Sequence, residues 1–117
     1  MFINLTNHPS EKWSDEQMKA AHDYGEVVDM SFPIIEPNFT REDVLHLVKV
    51  FVEKIEGIKD DNTVVHVMGE MTFTHNLVNA LKGMGIPCLA STTERNVTTT
   101  RDGKKISEFK FVQFRKY

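Results

Sequence analysis

A single cysteine, Cys88, occurs in the 117 residues, so no intrachain disulfide can staple this chain. A small secreted scaffold is therefore disfavoured, and a reducing cytoplasm is the expected compartment. Cys88 follows Pro87 in an apolar run and has no evident activating base, which reads as a buried strand residue rather than a nucleophile. No stretch approaches the roughly 18 consecutive apolar residues that span a bilayer. Met1-Phe2-Ile3-Asn4 runs into strand-like sequence with neither a charged leader nor a cleavage site, so no membrane partner and no export signal are expected. Gly-x-Gly-x-x-Gly and the Walker phosphate loop are both missing, which argues against a dinucleotide dehydrogenase and a P-loop NTPase. His22, His46 and His75 read as helix-face residues, and no pair of them has zinc-ligand spacing with an acidic third partner, so no metal or other cofactor is expected. An excess of positive charge is lacking too. The net charge of −3 predicts no broad binding to duplex nucleic acid.

Hydrophobic residues make up 40% of the chain, enough for the core of one domain over residues 1–117 and too few residues overall for a second. Phe2 to Thr6 alternates apolar and polar residues as a strand does, and Asn7-His8-Pro9-Ser10 breaks it with turn chemistry. Ser14-Asp15-Glu16-Gln17 has capping-box spacing and opens a helix to about Tyr24, stopped by Gly25. A second strand is expected over Glu26–Phe32, ended by Pro33. Thr40 then caps a helix whose Val44, Leu47, Val48, Phe51, Val52 and Ile55 share one face, closed by Gly57. Thr63 to Met68 is a β-branched run suited to a central strand covered on both faces. A third helix follows Gly69-Glu70-Met71-Thr72, and Ile86 to Ala90 reads as a fourth strand. Ser91-Thr92-Thr93-Glu94-Arg95 reads as a polar loop. Val97–Thr100 and Ile106–Phe114 flank Arg101-Asp102-Gly103-Lys104 as a hairpin, with a bulge expected near Val112 or Gln113. Right-handed crossovers turn this order into an α/β fold: a Rossmann-like or flavodoxin-like three-layer sandwich with a mainly parallel sheet and a C-terminal β-hairpin.

Open parallel sheets bind ligands beyond the carboxyl ends of their strands, where connections diverge. If the first and third strands are neighbours, the loops at Asn7–Ser10, Gly69–Thr72 and Ser91–Arg95 gather at one edge. Gly69 before a helix would let backbone N–H groups approach a phosphate at the positive end of the helix dipole; ending the strand, with Thr72 capping the helix, is the structural alternative. His8, after a strand and before a proline, is placed to act as acid, base or phosphate donor, with Ser10 beside it. Three hydroxyls, a carboxylate and a guanidinium in Ser91, Thr92, Thr93, Glu94 and Arg95 suit phosphate or ribose. Residues 95–117 are rich in Arg and Lys, so a compact anion can be held locally although the chain is acidic overall. His66, in an apolar strand, reads as a satisfied core residue.

The opening strand ending in Asn7-His8-Pro9-Ser10, followed by Trp13-Ser14-Asp15-Glu16-Gln17 in a miniature α/β domain, resembles the small CRISPR-associated Rossmann-fold (CARF-like) proteins. These include stand-alone ring nucleases that degrade cyclic oligoadenylate messengers in antiviral defence. The resemblance implies a homodimer holding a cyclic oligonucleotide across its two-fold axis, through loops that contain His8, Thr72 and Arg95 here. It also implies metal-independent cleavage by attack of a ribose 2′-hydroxyl on the neighbouring phosphate. The catalytic candidates are His8, Ser10 and Glu70; the ligand-binding candidates are Asn7, Gly69, Met71, Thr72, Ser91, Thr92, Thr93, Glu94 and Arg95. Three other readings compete: a nucleotide sensor or sponge without turnover, an interaction module using Phe109, Phe111, Phe114 and Tyr117, and a small hydrolase with Glu70 or Glu94 as general base.

Overall fold

The computed structural model describes residues 1–117. Strand β1 (Phe2–Thr6) is buried along its whole length and lies between β2 (Val27–Asp29) and β3 (Val64–Met68), parallel to both. Next to β3 stands β4 (Cys88–Thr99), also parallel, and β5 (Lys105–Lys116) closes the sheet antiparallel to β4, giving the order β2-β1-β3-β4-β5. The expected neighbourhood of the first and third strands is therefore present. The α/β class and the mostly parallel sheet follow from the sequence as read.

Strand alternation assigns the two faces. Ile3, Leu5, Val65 and Val67 point to one side and pack with Val44, Phe51 and Ile55 of α2 (Arg41–Ile58) and with Phe73 and Leu77 of α3 (Met71–Gly83). Phe2 and Val64 point to the other and pack with Ala21 of α1 (Asp15–His22), Trp13 and Phe114. Asn4 and His66, directly paired across β1 and β3, share the face of Phe2 and Val64.

The helix caps are local consequences of sequence. Ser14 Oγ accepts from Gln17 N–H at 3.2 Å. Thr40 and Asp43 form a reciprocal capping box at the head of α2. Helix α1 ends at His22, two residues earlier than expected, and Gly25 turns the chain with φ at 130°.

Two expectations are corrected. The second strand is only three residues long, because β2 is an edge strand and the chain after Met30 carries Pro33 and Pro37, which supply no ladder N–H. The fourth strand does not stop at Ala90. Ser91–Arg95 is no loop but the middle of β4, so the fourth strand and the first hairpin strand are one element of 12 residues. Thr92, Thr93, Val97, Thr98 and Thr99 are β-branched, no Gly or Pro interrupts them, and β5 pairs with them residue by residue. The hairpin turns at Gly103, φ 80°, and Val112 is the extra residue of a bulge between the pairs Thr92–Gln113 and Thr93–Phe111, as expected. The hairpin reaches well past the body and contributes to a longest dimension of 52 Å. No helix is long and apolar enough to cross a membrane.

Candidate functional site

The chain leaves β1 toward α1 on one face of the sheet and leaves β3 toward α3 on the other, so a crevice opens where the two strands end. A cleft of about 1180 Å³ lies there. Thr6, His66 and Met68 line it from the sheet, and Asn7, His8 and Gly69 from the strand ends. Lys12, Trp13 and the first turn of α1 form one wall; Ser91, Thr93, Asn96 and residues 108–111 of the hairpin form the other. The charge is mixed, with Lys12 and Lys110 set among Asp15, Glu16 and Glu108.

Beneath the cleft runs a polar chain that fixes one imidazole. Asn4, 1% exposed, donates from Nδ2 to Asp29 Oδ1 at 2.8 Å and to the His8 carbonyl at 2.9 Å. Two acceptors on Nδ2 leave Oδ1 as the carboxamide's acceptor, and it takes a hydrogen bond from Thr6 Oγ1 at 3.0 Å. His66 Nδ1 lies 3.0 Å from the same oxygen and must therefore carry the proton. Nε2 is then a bare acceptor, and it finds no donor within the protein. The ring is wedged among Phe2, Trp13 and Phe114, with centroids 5.1 to 5.7 Å away. Burial, with a smaller contribution from His8, pushes the His66 pKa down to about 4, so it is neutral near pH 7. Burial acts to raise the Asp29 carboxyl, but hydrogen bonds from Asn4 and from the Ser10 side chain and backbone outweigh it and hold the carboxyl below its ordinary value.

The structure brings five of the twelve expected site residues to this cleft: Asn7, His8, Gly69, Ser91 and Thr93. Ser91 Oγ and N–H both donate to Met68 Sδ. The other seven lie outside the cleft lining. Ser10 is turned to Asp29, its Oγ donating to Oδ2 at 2.8 Å. Glu70, not Thr72, caps α3: its carboxylate accepts from Phe73 N–H at 2.9 Å and from Thr72 Oγ1. Those hydrogen bonds, Thr72's first, hold the Glu70 carboxyl below its usual value against the opposing effect of burial. The positive end of α3 is thus neutralised by the chain's own anion. Met71 is exposed and lines a separate hollow with His75 and Lys82. In β4, Thr92 Oγ1 donates to the Gln113 carbonyl, Arg95 donates to Ser107 Oγ at 3.1 Å, and Glu94 is exposed on the ribbon.

The fold supplies a further reason for glycine at position 69. A Cβ there would fall 2.3 Å from the Phe32 ring, so the residue gives room to an aromatic packed between strand end and core. His66 is buried as expected but only half satisfied. Trp13, Lys12, Phe109, Lys110 and Phe111 were not among the expected site residues, because their place depends on the hairpin folding back beside α1, which periodicity does not reveal. Cys88 is buried, and burial raises its thiol to about 11, leaving it protonated and inert.

The family model described as Uncharacterized protein MJ1673 family covers residues 1–115. No curated protein and no solved structure matches the chain.

Proposed function

Starting from a chain that belongs to the MJ1673 family over nearly its whole length, we propose that the cleft binds a compact oligoribonucleotide of the cyclic oligoadenylate class and promotes its cleavage by 2′-hydroxyl attack. The observation that carries this reading is the set of side chains around one crevice at the ends of β1 and β3: Lys12 and Lys110 for phosphate, Trp13 and Phe109 as stacking surfaces, and His8 at the strand end. Base stacking on aromatic rings contributes roughly 1–3 kcal/mol per base. A volume of about 1180 Å³ exceeds what a single small ligand needs, which favours several linked nucleotides. The strand order, with helices on both faces, supports the Rossmann-like class that the CARF resemblance implies.

In the cleavage step the 2′-oxygen attacks the adjacent phosphorus, the bond from phosphorus to the 5′-oxygen breaks, and a 2′,3′-cyclic phosphate forms. The 2′-proton is lost to solvent, and the departing 5′-oxygen takes a proton from His8. Lys12 and Lys110 offset charge that develops on the phosphate. Ser10 and Glu70, engaged with Asp29 and with the α3 cap, have no part in this scheme.

The same reading includes a second copy of the chain. Beyond the buried Phe111 both hairpin strands are exposed, with Val97, Ile106 and Phe109 uncovered, and a lone two-stranded ribbon is marginal in water. Six basic and fourteen acidic side chains fall within residues 1–70, against eight basic and three acidic in the rest, so the arm of one protomer complements the body of another.

Incubation with cyclic oligoadenylates of several ring sizes, with and without a chelator, tests the proposal. Ring opening to products ending in a 2′,3′-cyclic phosphate, unaffected by the chelator, is expected. Absence of binding by every ring would refute it. One observation favours binding without turnover: of the three catalytic candidates only His8 lines the cleft. Intact ring recovered from a tight complex would select that reading.

A further inference from the structure

We infer that His66 Nε2 is a specificity acceptor, a fixed lone pair that takes a hydrogen bond from a neutral O–H or N–H donor of the ligand. The inference rests on the reading of the cleft as a nucleotide site and names what that site demands of its ligand.

The argument begins at Asp29. Its carboxylate can only accept, so the Asn4 carboxamide must turn Nδ2 toward it and Oδ1 toward His66. That orientation leaves one tautomer for the ring, with the proton on Nδ1. Three successive groups, Asp29, Asn4 and His66, thereby convert a surface carboxylate into a defined lone pair on a ring that is 2% exposed and lines the cleft. Packing gives no reason for this nitrogen. A phenylalanine would fill the same space among Phe2, Trp13 and Phe114 without leaving a polar atom unpaired, and buried unpaired polar atoms are rare because they are costly.

The chemistry of the acceptor selects its partner. A phosphate oxygen cannot donate, and bringing one to Nε2 would set two lone pairs against each other. A ribose 2′-hydroxyl or the exocyclic amine of adenine can donate. Either requires the ligand to enter with its sugar or base toward His66 and its phosphates toward Lys12 and Lys110. His66 is a positioning residue in this arrangement: it orients the donor, and it holds no proton that the reaction uses.

Nitrogen-15 NMR of the histidine side chains, recorded on the wild-type protein, tests the inference without a substitution. The free protein should show His66 with Nδ1 protonated and Nε2 unprotonated, and a cyclic oligoadenylate should move the Nε2 resonance in the direction of an accepted hydrogen bond. Binding should weaken roughly 10- to 100-fold for either the 2′-deoxy ring or the inosine ring, whichever lacks the donor used. His66→Phe should then bind the parent and that analogue within about threefold of each other. Rings that bind while Nε2 stays unmoved, or a protonated Nε2 in the free protein, overturn the inference and leave the nucleotide reading standing. Failure of every ring to bind removes the nucleotide reading itself, and this inference with it.

Discussion

Acid should weaken this fold well before its carboxylates begin to titrate, and one residue should account for it. In the unfolded chain a histidine titrates near 6.5, whereas His66 in the fold is pushed down to about 4. Between those values the unfolded state binds a proton that the folded state refuses, so stability falls as pH drops from 6.5, and the His66 share of that loss is complete below 4. One pKa unit corresponds to about 1.4 kcal/mol, which makes the full loss roughly 3 kcal/mol. That is a large share of the ~5–15 kcal/mol that holds a typical domain together. The depressed carboxyls of Asp29 and Glu70 act in the same direction but only below about pH 4.5, so the interval from 6.5 to 4.5 isolates the imidazole. Urea denaturation at several pH values in that interval measures the slope. His66→Phe should flatten it, since phenylalanine keeps the ring contacts and removes the proton site. A wild type whose stability is level from pH 7 to 4.5, or a variant that falls in parallel with it, would show that the ring is not held neutral by burial.

Four further outcomes follow from particular contacts. Gly69→Ala should lose roughly 1–3 kcal/mol by thermal melting, because the Phe32 ring occupies the space of the new methyl group; Phe32→Leu in the same chain should restore part of it. Glu70→Ala should cost about 1 kcal/mol through loss of the α3 cap, and should leave ligand affinity unchanged because the carboxylate lies outside the cleft lining. Lys110→Ala should lower the slope of log affinity against log salt by about 0.7, the share of one phosphate on a single strand. Phe109→Asp should shift elution on size exclusion from dimer to monomer with the circular dichroism spectrum retained; an unchanged elution volume would show that the arm is not the interface.

Most of the sheet was legible in the chain. Periodicity marked β1, β3, α2 and α3, and the turn residues Asp102 and Gly103 marked the hairpin, because each of these is decided by neighbours within a few residues. The length of β4 was not legible. Ser91–Arg95 has loop composition, and only pairing with β5 makes it a strand. Loop composition is what placed Arg95 and Glu94 among the site candidates and hid Phe109 and Lys110, since it is the continuous ribbon that carries the first pair away from the cleft and brings residues 108–111 to it. His8 was found because a strand end is a local feature. The hydrogen-bonded setting of His66 was not, because it depends on Asn4, 62 residues away in the chain, and on Asp29 beyond it.

Val112 interrupts the ladder where the arm departs from the body, and it contributes nothing to the cleft lining. A strand that carries one surplus residue bends and twists more sharply at that point. Deleting it would leave Gln113 opposite Thr92 and Phe111 opposite Thr93, so the body keeps its partners while the ribbon swings to a new heading. The width of the cleft mouth is therefore governed by a residue that lies outside the cleft lining.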